Sequence, residues 1–192
     1  MALTTRIPHL LVVGLGNLPF PQTRHSIGHL IIDALAARLG VHMSSDRAMG
    51  GVAGHAKAVF DDQMVDLTLL KPKPLMNITG PAVASALRKT VQSASAMIII
   101  HDSLSHKPET LSVKFGGSAN GHNGVRSVIS ALGGEMGFYR FRIGIGRGGN
   151  DAAEYVLGRL PYEEKLYWNG EGRGLDIVCK ELKRIAFNPP AT

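Results

Sequence analysis

Two uninterrupted apolar runs, Leu10-Leu11-Val12-Val13 and Met97-Ile98-Ile99-Ile100, constrain the fold of this 192-residue chain more than any other feature. Runs of four aliphatic residues, without polar alternation, read as strands buried on both faces, as in the middle of a parallel sheet. Such strands need helices on both sides, and the periodicity supplies them. Ile27, Leu30, Ile31, Ala34, Leu35 and Leu39 share one face of a helix over 27–39, which Gly40 stops. Gly80-Pro81 opens a second helix over Ala82 to Lys89, since proline suits the first helical position. Gly124 to Leu132 reads as a short helix, and Leu175, Val178, Leu182 and Ile185 form the core stripe of a terminal one. Ala56 to Phe60 and Met64 to Leu70 flank Asp61-Asp62-Gln63 as a hairpin, and Leu111 to Phe115 and Tyr139 to Ile145 complete the strands. The expected fold is α/β: a single domain over residues 1–192 with a mixed, twisted β-sheet flanked by helices on both faces. The length suits one well-buried core, and no repeat or linker divides it.

Lys and Arg number 21 against 15 Asp and Glu, a formal charge of +6 that suggests an anionic partner and equally fits a solvated surface. No basic run forms a tail, so any basic patch must be assembled by folding. Cys179 is the only cysteine, which excludes an internal disulfide and a multi-cysteine zinc site and fits a reducing compartment. No apolar stretch approaches a membrane span, and Met1 to Pro8 lacks a signal-peptide core or an arginine-rich presequence, so no membrane association is expected.

Three distant stretches end on side chains able to do chemistry: Thr23-Arg24-His25, Met76-Asn77 and Gly121-His122-Asn123-Gly124. With Asp102 they suggest one hydrolytic site, since water-mediated acyl transfer needs a histidine, a carboxylate to orient it and amides to bind a carbonyl. His25 falls between a strand's carboxyl end and a helix, and Asp102 ends another strand; such positions line the crevice of open α/β sheets. The plainer alternatives are a packed histidine and a turn-forming aspartate, while His101 alternates to the other side of its strand. Gly14-Leu15-Gly16 invites a dinucleotide reading, but Pro19 stands where the third glycine belongs; the glycines instead let the chain turn sharply and present Asn17. The segment Gly116 to Gly124 is either a linker or, lying before a helix, an anion-binding turn. Among eight histidines no His-x-x-x-His pair lies within a helix, since His25, four residues before His29, precedes the helix over 27–39, and no carboxylates cluster, so neither a metal nor a cofactor is expected.

The chain resembles the bacterial-type peptidyl-tRNA hydrolases from about Leu10 to about Lys165. The resemblance rests on Val13-Gly14-Leu15-Gly16-Asn17, Thr23-Arg24-His25, Leu70-Lys71-Pro72, Met76-Asn77-Ile78-Thr79-Gly80, His101-Asp102, Gly121-His122-Asn123-Gly124, Arg142-Ile143-Gly144-Ile145-Gly146 and Tyr155-Val156-Leu157-Gly158. It implies a monomer that cleaves the ester joining peptide to tRNA without metal or cofactor, in the cytoplasm or, in a eukaryote, the mitochondrion. On this resemblance His25 is the general base and Asp102 holds its tautomer. Asn17, Asn77 and Asn123 bind the peptide and the water or carbonyl, His122 lies near the scissile group, and Met76 packs beside the adenosine or peptide. Lys114 and Arg142 clamp the 5′ phosphate of the acceptor stem, and residues 151–164 act as a lid hinged at Gly148-Gly149. The sequence departs from the family in the stretch Leu18 to Gln22, two residues shorter and without its tyrosine, at Ser105 in place of an acid, and at Ser118-Ala119-Asn120 within the glycine run. Two alternatives are a non-catalytic RNA-binding relative of the intron-splicing type and a small esterase that takes no tRNA.

Overall fold

A computed structural model describes residues 7–149 and 151–189 of the chain. Strand β1 (His9–Gly14) pairs in parallel with β4 (Gln63–Pro72) on one side and β5 (Met97–Ser103) on the other. The sheet widens through β3 (Gly51–Phe60) and β2 (Ser44–Asp46), each antiparallel to its neighbour. At the other side come β7 (Tyr139–Gly144), parallel to β5, and β6 (Leu111–Phe115), antiparallel to β7. The seven strands run in the order β2-β3-β4-β1-β5-β7-β6, a mixed sheet.

The alternation of side chains along each strand divides the core in two. On one face Leu10, Val12, Leu67, Leu69, Ile98, Ile100, Phe141 and Ile143 pack against α1 (Ile27–Leu39), α5 (Tyr162–Trp168) and α6 (Arg173–Phe187). On the other, Leu11, Val13, Leu70, Met97 and Ile99 pack against α2 (Gly80–Lys89) and α3 (Asn123–Ala131). Each fully buried Leu, Ile or Val stabilises the fold by about 1.5–3 kcal/mol before chain entropy is counted. The central runs are apolar throughout because both of their faces are covered. Among the described residues no helix is long and apolar enough to cross a membrane.

Helix α1 has the expected bounds and ends on Gly40 in the left-handed conformation, φ 65°. The hairpin strands run longer than the apolar pattern suggested, and Asp61 and Asp62 turn with φ 45° and 65°. Paired left-handed residues match the twist of the flanking strands, and aspartate tolerates them better than most residues. Strand β2 and the short helices α4 (Ala152–Leu157) and α5 lay outside the sequence expectation. Gly14 and Gly16 correct it: neither has a positive φ, and their role is close packing. A Cβ on Gly14 would lie 2.2 Å from the Gly28 carbonyl oxygen, and one on Gly16 would lie 2.6 Å from the His29 ring. The first turns of α1 therefore rest directly on the end of β1.

Two buried histidines couple the stability of the fold to pH. Burial, then the charge of Lys71, pushes the His29 pKa down to about 4; burial, then His122, pushes that of His101 down to about 3. Both stay neutral in the fold while the unfolded chain protonates them near pH 6.5, so stability falls as pH drops below about 6.5, by about 1.4 kcal/mol per unit for each histidine. His29→Gln should remove close to one proton from this slope between about pH 6.5 and 4. Urea unfolding across that range measures it, and an unaltered slope would assign the acid sensitivity elsewhere.

Candidate active site

Packing of α1 onto β1 delivers the turn Arg24–Ser26 to the carboxyl end of the sheet, beside the end of β5. His25 Nδ1 lies 2.9 Å from Asp102 Oδ1. Asp102, on β5, is buried, whereas the His25 side chain keeps 15% exposure. His122, the residue that caps α3, brings its Nε2 to the same Oδ1, also at 2.9 Å. The two imidazole rings stand 5.1 Å apart, and His101 meets His122 edge-on at 4.6 Å.

The partners fix the tautomers. Backbone N–H groups only donate and carboxylates only accept. His122 Nδ1 accepts from the Val125 N–H at 3.3 Å, so its proton sits on Nε2, which donates to Asp102. His25 donates from Nδ1 to the same oxygen, so Nε2 is the bare nitrogen of the neutral ring, and the side chain is partly open. Burial alone would raise the Asp102 pKa, but the field and hydrogen bond of His122 and those of His25 outweigh it and hold the carboxyl well below the ordinary range. Asp102 is thus a fixed anion beneath two imidazoles. His101 donates from Nδ1 to the Asp102 carbonyl at 2.7 Å and is kept neutral by burial.

Asn17 is buried, and its Oδ1 accepts from the Met76 N–H at 2.8 Å, turning the amide so that its NH₂ end is the donor available to a ligand. That bond ties the β1 loop to the turn Met76–Ile78, with the Met76 side chain buried and Asn77 exposed. Asn123 is exposed at the first position of α3, and its Oδ1 accepts from the Arg126 guanidinium at 3.3 Å. Lys114 and Arg142 lie on the β6–β7 ribbon, Arg142 in register with His101 on β5. Lys114 pairs across the strands with Arg140 and Arg142 with Ser112, whose hydroxyl accepts from Arg142 at 2.7 Å. Helix α4 packs on the turn that carries His25: the Arg24 guanidinium lies 4.3 Å above the Tyr155 ring, and the Arg24 N–H donates to the Gly158 carbonyl.

His25, Asp102 and His122 each offer a possible metal-ligand atom, all within 4.8 Å of one another, a grouping the sequence patterns did not reveal. The hydrogen bonds occupy those atoms: Asp102 Oδ1 is shared by both rings, and both nitrogens of His122 are committed. A cation bound through His122 would have to take Nδ1 from the cap of α3 or Nε2 from its bond to Asp102.

The peptidyl-tRNA hydrolase family profile matches residues 11–182. The chain belongs to the peptidyl-tRNA hydrolase family. A peptidyl-tRNA hydrolase of Azotobacter vinelandii is 39% identical over 160 residues, 81% of this chain and 80% of its own. One from Rhodococcus jostii is 39% identical over 176 residues, 89% of this chain and 86% of its own. The crystal structure of peptidyl-tRNA hydrolase from Acinetobacter baumannii superposes with a TM-score of 0.78 at 30% identity, covering 95% of this chain and 91% of that one. The family match extends past Lys165 into α6, beyond the motifs that carry the resemblance.

Within this peptidyl-tRNA hydrolase fold, sequence reasoning missed two features. The bond from His122 to Asp102 joins residues whose strand and helix become neighbours only in the fold. Arg140, buried and donating to the Gly116 carbonyl at 2.8 Å, supports the ribbon between Lys114 and Arg142. The alternation Tyr139-Arg140-Phe141-Arg142 was its signal, since it sets both arginines on one face of β7.

Proposed function

We propose that the chain hydrolyses the ester between peptide and tRNA in peptidyl-tRNA, by a metal-free mechanism with His25 as general base. The observation that carries this reading is the His25–Asp102 hydrogen bond in a chain matched to the family over residues 11–182. His25 Nε2 takes a proton from water as its oxygen attacks the ester carbonyl. The Nδ1–H bond to Asp102 stabilises the imidazolium, the role of a carboxylate in hydrolytic triads. Collapse of the tetrahedral intermediate breaks the bond to the ribose oxygen, which leaves with the proton from His25. The Asn17 NH₂, with Asn77 and Asn123, binds the peptide and the developing oxyanion, a single amide donor contributing on the order of 3 kcal/mol. His122 lines the scissile group, and Met76 supports the adenosine or peptide. On this reading the enzyme works as a monomer where translation runs, in the cytoplasm or, in a eukaryote, the mitochondrion.

The test is deacylation of N-acetylated aminoacyl-tRNA alongside the unacetylated form. Release from the acetylated substrate, with little from the other, is the expected result; failure on both would remove the hydrolase reading from this chain. Lys114 and Arg142, on the same face of the β6–β7 ribbon, suit a phosphate of the acceptor stem, one as a point charge and the other as a planar fork. Replacing both with alanine should lower kcat/KM on peptidyl-tRNA by on the order of tenfold or more and make binding less salt-dependent, with a far smaller loss on a peptidyl-CCA fragment. Equal losses on the two substrates would place the pair in the catalytic centre instead.

A further inference from the structure

The face of the sheet that carries the basic ribbon continues onto a loop. In register, His101 on β5 pairs with Arg142 on β7, which pairs with Ser112 on β6, and the next row joins Ile99, Arg140 and Lys114. Directly paired residues share a face, and so do alternate residues along a strand, so Lys114, Arg140, Arg142, His101 and Ser103 lie on one side. Ser103 pairs with Gly144, one row beyond Arg142 towards the carboxyl ends of the strands. From Ser103 the chain enters the loop before β6, and His106 folds back so that its Nδ1 meets Ser103 Oγ at 2.7 Å. The His106 carbonyl accepts from the Gly146 N–H at 2.9 Å, fixing the loop across the end of β7. The imidazole is half-buried and tied to Ser103, which lies one row beyond Arg142 on the same face of the sheet.

We propose that His106 is a further phosphate contact for the RNA substrate, completing a line of cationic groups with Arg142 and Lys114 that leads away from the candidate ester site. The inference rests on the peptidyl-tRNA reading above. Ser103 suits it: a hydroxyl both donates and accepts, so it holds the ring whether Nδ1 is bare or protonated. Arg142, on β7, is the charged group whose field reaches His106. Burial and then that charge keep the imidazole less basic than an ordinary histidine. A phosphate between the two cations offsets Arg142, so RNA binding takes up a proton at His106. The outcome is RNA affinity that rises as pH falls through the histidine range.

The test is equilibrium binding of an acceptor-stem RNA hairpin ending in CCA, with a 5′ phosphate or a 5′ hydroxyl, at pH 6.0 and 8.0. Circular dichroism at each pH verifies that the protein is folded. The wild type should bind the phosphorylated hairpin on the order of threefold to tenfold more tightly at pH 6.0. His106→Gln should lose most of that response, while His106→Lys, permanently charged, should bind at pH 8.0 about as the wild type does at pH 6.0. A response lost with the 5′ hydroxyl assigns the contact to the terminal phosphate; one retained assigns it to a backbone diester. An unchanged pH response in His106→Gln overturns the proposal and leaves the functional reading intact. A wild type that binds neither hairpin at either pH overturns both.

Discussion

Alanine at His25 is expected to abolish turnover of peptidyl-tRNA while tRNA binding stays close to that of the wild type. The imidazole acts on the attacking water and adds little ground-state affinity, so the loss belongs in kcat and not in KM. A loss on the order of 10²–10⁴-fold is what removing a general base produces. The substitution sits at 15% side-chain exposure at the edge of the core, so the fold should survive it. Single-turnover deacylation alongside filter binding of uncharged tRNA makes the comparison. A variant that deacylates near the wild-type rate would end the assignment of His25 as base.

Asp102→Asn should be nearly as damaging, for a different reason. One carboxylate oxygen accepts from both His25 and His122. An asparagine that sets its carbonyl oxygen there keeps both bonds but loses the anion that stabilises the imidazolium, and with the amide flipped its NH₂ faces both rings and both bonds are lost. A fall in kcat on the order of 10²-fold or more is expected. In whatever activity survives, the rate measured across pH shows whether the anion supports the imidazolium during turnover. Stability should respond as well. The depressed Asp102 pKa stabilises the fold above the unfolded carboxyl value near 3.9 and is lost as pH falls below it, so Asp102→Asn should show a flatter decline in strong acid. An unaltered rate and profile would mean that the Asp102 bonds play no part in turnover.

The central strands and the four longer helices were legible because burial on two faces, or on one, leaves a period in the sequence. Leu10 to Val13 and Met97 to Ile100 have no polar position because no face of β1 or β5 meets water over those residues. Strand β2 escaped because Ser44-Ser45-Asp46 has no apolar pattern; its pairing with β3 at the sheet edge defines it. Helices α4 and α5 are too short for a periodicity to register. At the candidate site, residue types and strand-end positions were enough to nominate His25 and Asp102, which lie 2.9 Å apart. The sharing of one oxygen with His122 was not readable, since it depends on where α3 begins relative to β5. The reading of Gly14 and Gly16 as a sharp turn failed because glycine serves close approach as readily as positive φ, and sequence alone does not separate the two.

The ring that caps α3 is also the ring that steadies Asp102, with one nitrogen assigned to each task. A second proton on His122 would have to go on Nδ1, where the Val125 N–H now points, and a protonated nitrogen cannot accept that bond. The first turn of the helix and the charge balance of the site therefore answer to a single acid–base event. The amide of Val125 becomes a built-in gauge: its protection against hydrogen exchange, taken relative to the intrinsic rate at each pH, falls when Nδ1 gains a proton, reporting that event without a substrate present.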